Sequence, residues 1–293
     1  MATLRPSTTA TDNEQLFKQL TTRPQIAWPT VSLLIFVIAG LILSTYAVIQ
    51  DSMPLWLAMT VNSVLIYQVF TVLHDASHNA LSLNKKVNDT LGRIAIFILC
   101  PFIDFRVFRY IHMQHHRFAN DPEKDPDYWV ATGAPWTFPF RWLALDISYP
   151  FYYCRPSVWK NRPKSELRNQ LITLTVGILT FVVIIQAGVL SEALLLWIIP
   201  TRAAVFLLAL AFDFLPHFPH DAMAKEDEYK ASNNRIGFEW LLSPLLLGQN
   251  YHLTHHLYPT VPFYRYRRVW LAKEKTHLSQ NPLTVKAFSL KPE

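Results

Sequence analysis

The chain has 293 residues; 51% are hydrophobic, 14% are aromatic and only 16% carry a charge. Globular domains carry about 25% charged residues, so this balance, with a mean hydropathy of +0.15, favours an integral membrane protein. The net charge is +6, but no basic stripe interleaved with aromatic residues is present. We therefore expect no nucleic acid as partner, and membrane phosphates or an acidic protein fit the charge better. The two cysteines lie far apart, which argues against a disulfide framework and a zinc ribbon.

Four long apolar runs follow a polar N-terminal segment. Residues 1–25 contain no apolar core of a signal peptide, so we expect a mobile tail and no cleaved leader. The runs are close to the roughly 20 residues needed to cross a bilayer; they are residues 26–50, 55–73, 171–190 and 193–215. The fourth run contains Pro200 and Arg202. A charge at that depth needs a partner, or a position away from the bilayer centre on a kinked helix.

The remaining segments, 74–170 and 216–293, are predicted to form a helical cap outside the bilayer. Apolar stretches inside them, at 94–105 and 238–247, are too short to span and indicate interfacial helices. Every Lys and Arg except Arg202 lies in the N-terminal segment, in 74–170 or after residue 215. The positive-inside rule therefore places both termini and the cap in the cytoplasm. The predicted fold is an all-α integral membrane protein, in which residues 26–293 form one domain.

Ten of the 11 histidines fall into four clusters. Two clusters share the pattern His-x-x-His-His, whose i, i+3 and i+4 offsets place three imidazoles on one face of a helix. The clusters are His74 and His78; His112, His115 and His116; His217 and His220; and His252, His255 and His256. Such repetition predicts one metal centre assembled by folding, and all four clusters lie on the predicted cytoplasmic side of the spans.

The types of side chain in these clusters limit which metal ions can bind. Neutral imidazole binds iron, zinc and copper, and ten histidines exceed what one ion coordinates, so two ions are expected. The four histidine clusters contain no cysteine thiolate, no His-Glu-x-x-His pattern of zinc proteases and no Glu-x-x-His pattern of ferritin-like di-iron proteins. A nitrogen-rich site beside apolar helices favours iron with an open position. Such iron can activate dioxygen for removal of hydrogen from an unactivated C–H bond.

Three of the histidine clusters resemble motifs of a known protein family. His74-Asp75-Ala76-Ser77-His78, His112-Met113-Gln114-His115-His116 and His252-Leu253-Thr254-His255-His256 resemble, in order and spacing, the three histidine boxes of the membrane fatty acid desaturase-like superfamily. The resemblance covers nearly the whole chain. It implies two non-haem irons held by the box histidines and by one histidine at the end of the last span. The implied metal ligands are His74, His78, His112, His115, His116, His217, His252, His255 and His256.

The resemblance also implies partners for these ligands. Asp213, one turn before His217, matches a position that assists through water in some relatives, where an asparagine can occur. Acceptors for the ligand N–H groups are expected, and the candidates are Asp75, Asn250 and Asp121, with His220 as a further neighbour.

Within the superfamily the sequence most resembles carotenoid ring hydroxylases of the β-carotene type. The supporting strings are residues 74–79, 120–127, 213–217, 248–259 and 262–266. A fatty acyl desaturase, acting on acyl-lipid or acyl-CoA, is the alternative, because hydroxylation and desaturation both begin with hydrogen abstraction and differ in substrate placement. Either reading implies an apolar lipid substrate that enters from the bilayer. The sequence contains no haem, flavin or ferredoxin-like segment, so a separate electron donor of ferredoxin or cytochrome type is expected.

Two other classes of protein fit less well. A membrane metal-binding or transport protein should place its ligands along a path inside the bilayer, whereas these boxes lie outside the predicted spans. A bis-histidine haem carrier should carry single histidines on facing spans rather than paired ones.

Overall fold

The computed structural model describes residues 10–292, and its regular structure is almost entirely helical. The helices in chain order are α1 (Ala10–Thr21), α2 (Trp28–Ile49), α3 (Leu55–Ser77), α4 (Lys85–Leu99), α5 (Phe105–Phe118), α6 (Phe138–Leu143), α7 (Leu145–Tyr153), α8 (Pro156–Trp159), α9 (Lys164–Gln186), α10 (Leu190–His217), α11 (Glu239–Leu245), α12 (His252–Leu257), α13 (Tyr266–Ala272) and α14 (Glu274–Leu278). Two short strands, β1 (Asn234–Ile236) and β2 (Thr284–Lys286), pair in parallel.

Four of these helices, α2, α3, α9 and α10, are long and apolar enough to cross a membrane. The predicted all-α membrane fold with four spans is therefore confirmed, although the boundaries differ. Helix α3 continues past residue 73 to Ser77, because the polar residues at its end are buried inside the protein rather than placed at a membrane surface. Helix α9 begins at Lys164, directly after Pro163, whose ring is compatible with the start of a helix but not with its interior.

Helix α3 lies at the centre of the fold and packs against α2, α4 and α10. Polar side chains join three of these spans. The Ser44 hydroxyl donates to Asn62 Oδ1 at 2.5 Å, and Asn62 Nδ2 donates to the Leu196 carbonyl at 2.7 Å. Leu196 lies in a π-helical stretch of α10, Leu194–Ile198, where the regular backbone ladder changes. Because the bilayer offers no water, a side-chain donor stabilises this irregular backbone.

Helix α4 replaces the interfacial helix expected at 94–105. It ends at Leu99, since Pro101 disfavours helical backbone at Cys100, which is extended. Helix α9 is the most peripheral span: most of its apolar side chains are exposed and thus available to lipid, and it meets the core where Gly177 lies against Phe102.

The N-terminal segment differs from the mobile tail expected for residues 1–25. Residues 10–21 form α1, which packs on α13, and the expected tail at 1–9 lies outside the described residues. Leu20 is buried beside Tyr266 and Trp270. The Arg265 guanidinium donates to the carbonyls of Leu20 and Thr22 at 3.1 and 2.9 Å. An apolar face at helical spacing, formed by Leu16, Phe17 and Leu20, explains why this otherwise polar segment folds onto the cap.

Candidate metal centre

The histidine boxes reach one place from four helices. His74 lies in the last turn of α3 and His78 caps its end. Helix α5 presents its box in its last two turns. Asp104 caps its N-terminus, and the Asp104 carboxylate accepts the backbone N–H of Arg106. His217 ends α10, after a second π-helical stretch. The third box forms most of α12.

Nine imidazoles converge into two groups, and within each group one nitrogen per ring lies within 4.8 Å of the others. These are the nine histidines expected as ligands. The first group is His74, His78, His112, His116 and His255; the second is His115, His217, His252 and His256. Thus α5 contributes to both groups, and so does α12, which places the two groups side by side.

The nitrogen separations fit metal ligation. Nε2–Nε2 distances are 2.8 Å for His78–His112 and 2.8 Å for His116–His255. With metal–nitrogen bonds of about 2.1 Å, ligands at right angles lie about 3.0 Å apart. In the second group the Nε2–Nε2 distances are 3.1 Å from His115 to His217, 3.2 Å from His217 to His252 and 3.0 Å from His252 to His256.

Burial keeps most of these rings neutral. Removal from water, followed by repulsion from neighbouring imidazoles, holds the pKa of His78, His112 and His116 well below the ordinary value. The same causes lower the pKa of the third-box histidines, His252, His255 and His256. A neutral imidazole has the lone pair that a metal requires.

His74 gives a test of whether ions fit. The residue is 1% exposed, and neither ring nitrogen has a hydrogen-bond partner among the described residues. Buried polar atoms are nearly always partnered, because an unpaired one costs free energy. A metal ion at the first group would satisfy one nitrogen of this ring.

Four of the ligand rings make a hydrogen bond through Nδ1, the ring nitrogen that faces away from the histidine group. His115 Nδ1 lies 3.0 Å from Asp125 Oδ1 and 3.4 Å from Asp127 Oδ2. With Nε2 facing the group, Nδ1 carries the proton and donates it, which fixes the tautomer. The remaining acceptors, with their distances to Nδ1, are the Ala231 carbonyl for His217 (2.7 Å), Gln249 Oε1 for His252 (2.7 Å) and the Tyr266 hydroxyl for His255 (3.0 Å).

The expected acceptors are placed differently. Asp75 accepts from the Thr30 hydroxyl and the Phe263 N–H, at 2.8 and 3.2 Å, and so joins α2 and the segment before α13 to α3. Asp121 faces Lys124 and Lys225 at 4.0 and 3.8 Å.

Two further candidates also make contacts away from the ligand rings. The Asn250 carbonyl accepts from the Arg235 backbone N–H at 2.6 Å. His220 Nδ1 lies 3.2 Å from Asn120 Oδ1. None of the recorded hydrogen bonds of Asp75, Asp121, Asn250 and His220 in the described part of the chain reaches one of the nine rings.

The sequence analysis did not identify the side chains that accept hydrogen bonds from the ligand histidines. Asp125 and Asp127 belong to the Asp/Pro-rich run 120–127, which the sequence marked without singling them out. Gln249 lies three residues before His252, and Tyr266 is fully buried eleven residues after His255. The i, i+3 spacing of Gln249 was a usable signal; nothing local marks Tyr266.

An apolar cavity lies between the spans and the cap. A space of about 690 Å³ lies between α7, α9, α10 and the end of α4, and its lining is almost wholly apolar. A second, narrow space of about 50 Å³, the neck, shares four lining residues with this cavity. They are Leu99, Cys100, Ile103 and Asp146.

Two residues that line the neck contact histidines of the first group. They are Phe70, which lies 5.9 Å from His74, and Phe108, which stacks on His112 at 5.8 Å, both between ring centroids. Asp213 also lines the neck, one turn before His217. The arrangement therefore offers an apolar molecule a route from the lipid-facing side to the ligand cluster.

Comparison with known proteins agrees with this site. The family described as Fatty acid desaturase matches residues 50–284. A dihydrorhizobitoxine desaturase of Bradyrhizobium elkanii is 29% identical over 217 residues, 66% of this chain and 60% of that protein, so the match covers less than two thirds of its length. A beta-carotene ketolase of Paracoccus sp. (strain N81106 / MBIC 01143) is 28% identical over 202 residues, 67% of this chain and 71% of that protein.

An sn-1 oleoyl-lipid 12-desaturase of Picosynechococcus sp. (strain ATCC 27264 / PCC 7002 / PR-6) is 22% identical over 274 residues, 84% of this chain and 76% of that protein. The matched range 50–284 includes every histidine of the two groups. Because the match covers most of the chain and includes all three histidine boxes and three of the four candidate spans, the chain belongs to the fatty acid desaturase family.

Proposed function

We propose that this protein is a dioxygen-dependent non-haem di-iron oxidoreductase that oxidises a C–H bond of a long apolar lipid. The observation that carries the proposal is the pairing of two histidine groups with an apolar neck, two of whose lining residues, Phe70 and Phe108, contact His74 and His112. Membership of a desaturase family supports an enzyme. The nine grouped histidines would hold the metal, and the exclusively nitrogen donor set of each group fits iron.

Iron bound at these groups would supply dioxygen activation for hydrogen removal from an unactivated C–H bond. The chain supplies the setting. Phe70 and Phe108 wall the neck against water and hold an apolar chain next to the ligand rings. Asp125 holds the proton on Nδ1 of His115, and Gln249 does the same for His252, so that each ring is oriented with Nε2 toward its histidine group.

For the substrate we propose a carotenoid, oxidised by ring hydroxylation, with acyl-chain desaturation as the second candidate. The carotenoid hypothesis draws support from the residue strings around the boxes and from the Paracoccus relative, a beta-carotene ketolase. The second candidate draws support from the relatives named as oleoyl-lipid desaturases. Both substrates are long and apolar and both suit the cavity.

Expression in bacteria that accumulate β-carotene separates these candidates. We expect hydroxylated carotenoids in the pigment extract, with membrane fatty acids unchanged, when both are analysed from the same cells. New double bonds in the acyl chains with intact carotene would transfer the assignment to the desaturase. Keto-carotenoids would retain the substrate and reject hydroxylation.

We also propose a separate electron donor of ferredoxin or cytochrome type. Each turnover of such an oxidation consumes two electrons, which we assign to a separate protein. In the same cells, co-expression of a ferredoxin with its reductase should raise product yield. A purified enzyme that turns over without any added reductant would contradict this part of the proposal.

The orientation proposed is cytoplasmic for the histidine cap and for both termini, based on the Lys and Arg distribution. A reporter that fluoresces only in the cytoplasm, fused after residue 293, should be bright. A periplasm-active phosphatase at the same point should be inactive. The reverse pair of results would invert the topology.

A further inference from the structure

The fourth span carries a charged pair at the junction between the apolar cavity and the neck. Arg202, in the middle of α10, donates through two nitrogens to the two oxygens of Asp146 on α7, at 2.8 and 2.5 Å. Asp146 borders both spaces, and Arg202 borders the cavity. The partner that a charge at this depth requires is thus Asp146.

The pair is not sealed by packing. The Arg202 side chain is 33% exposed and that of Asp146 is 17% exposed, and both border a cavity whose other lining is mostly apolar. A bidentate pair of this kind gains little net stability once both charges lose their water, and apolar replacements are often neutral or stabilising. Ionisable groups inside a membrane protein mark functional sites by default.

We propose that the Arg202–Asp146 pair is a recognition site for an uncharged hydrogen-bonding group, such as a hydroxyl, keto or ester carbonyl, on an otherwise apolar substrate. This inference rests on the proposed function, because it takes the cavity as the substrate site. An oxygen acceptor on the ligand accepts from the guanidinium, and a ligand hydroxyl donates to the carboxylate.

The net charge of the Arg202–Asp146 pair determines which polar groups of a substrate it favours. The pair is neutral overall, so an ionised headgroup loses its hydration on entry and gains no net attraction in return. A neutral polar group loses less water and still finds both a donor and an acceptor. The position of the pair at the entrance to the neck then sets how far the apolar chain extends toward His74 and His112.

Binding, rather than turnover, tests this. The purified full-length protein in detergent is titrated with octadecanol, octadecane and octadecanoate, and apparent affinities are taken from the rise in unfolding temperature. A hydrogen bond to a charged group predicts that octadecanol binds at least about tenfold more tightly than octadecane. Octadecanoate should bind more weakly than the alcohol.

The double variant Asp146→Leu/Arg202→Met removes both charges and keeps the side-chain bulk. Its preference for the alcohol over the alkane should fall to about one. The matched control is Arg162→Met/Glu166→Leu, which removes another bidentate pair, with distances of 2.8 and 2.7 Å, that does not border the cavity. The control should keep the preference.

Equal affinity for alcohol and alkane in the wild type, or a preference that survives in the Asp146/Arg202 variant, would overturn the inference. Should that variant fail to fold, Arg202→Lys keeps the charge but loses the planar fork and should weaken the preference; an undiminished preference there also overturns it. Because the readout needs no turnover, cells that make no oxidised lipid would reject the proposed function alone.

Discussion

Replacing His255 by alanine is expected to abolish oxidation of the lipid and to reduce bound iron to one ion per chain or less. His255 belongs to the five-histidine group, its Nε2 lies 2.8 Å from that of His116, and it is completely buried. Loss of a ligand should exceed the roughly 10- to 100-fold cost of losing a ligand's hydrogen-bond partner. His115→Ala should act equally on the other group. Iron content of the purified protein and product formation in cells measure both effects.

The matched control is His277→Ala. His277 is also buried, at 1% exposure, and it stacks on Trp270 and contacts the Tyr229 hydroxyl, but it belongs to neither histidine group. This variant should lose stability, by removal of a packed ring, and keep its iron. Full iron content and activity in His255→Ala would refute the ligand assignment, as would equal iron loss in the control.

The fold was predictable to the extent that it depends on apolar run length. Twenty or so predominantly apolar residues have few alternatives to a span, so the number of spans followed from hydropathy alone. Span ends did not follow, because a window average cannot tell a helix that stops at the membrane from one that continues into protein. Helix α3 therefore runs on to Ser77, with His74 inside it.

The metal centre, too, was predictable from the sequence only in part. The i, i+3, i+4 spacing identifies which imidazoles share a helix face, and the structure brings all nine expected rings into the two groups. Which ring joins which group depends on the angles between helices: His115 and His116 are neighbours in sequence and face different groups. The acceptors behind the rings lie on loops and a distant helix, and loop conformation is not readable from local pattern.

Asp121 and Asp125 illustrate that limit. Both are acidic residues of the same Asp/Pro-rich run, and sequence reasoning favoured Asp121. In the structure the turn after Asn120, a residue with positive φ, directs Asp125 inward, where one oxygen faces His115 and the other accepts the Asn120 N–H at 2.8 Å. Asp121 points toward two exposed lysines. A single turn thus decides which carboxylate serves the metal centre.

Asp125→Asn is therefore expected to lower iron affinity and activity by about 10- to 100-fold. Asparagine has one acceptor oxygen where aspartate has two, so either the His115 Nδ1–H or the Asn120 N–H would face an amide donor. Burial lowers the pKa of His115, but the carboxylates of Asp125 and Asp127 outweigh it and raise the pKa from 6.5 to about 9. Without metal, the interaction of protonated His115 with the Asp125 and Asp127 carboxylates stabilises the fold fully below pH 6.5. This contribution is lost as pH rises through about 9.

The same shift predicts how iron loading depends on pH. Below about 9 the metal-free His115 carries both protons, so iron must displace the one on Nε2 and loading should improve as pH rises. In Asp125→Asn that dependence should move to lower pH, because the carboxylate that holds the proton is gone. Asp121→Asn, in the same loop, breaks only long contacts to exposed lysines and should change neither iron content nor the pH profile. Equal behaviour of the two variants in an iron titration across pH would show that Asp125 does not orient His115.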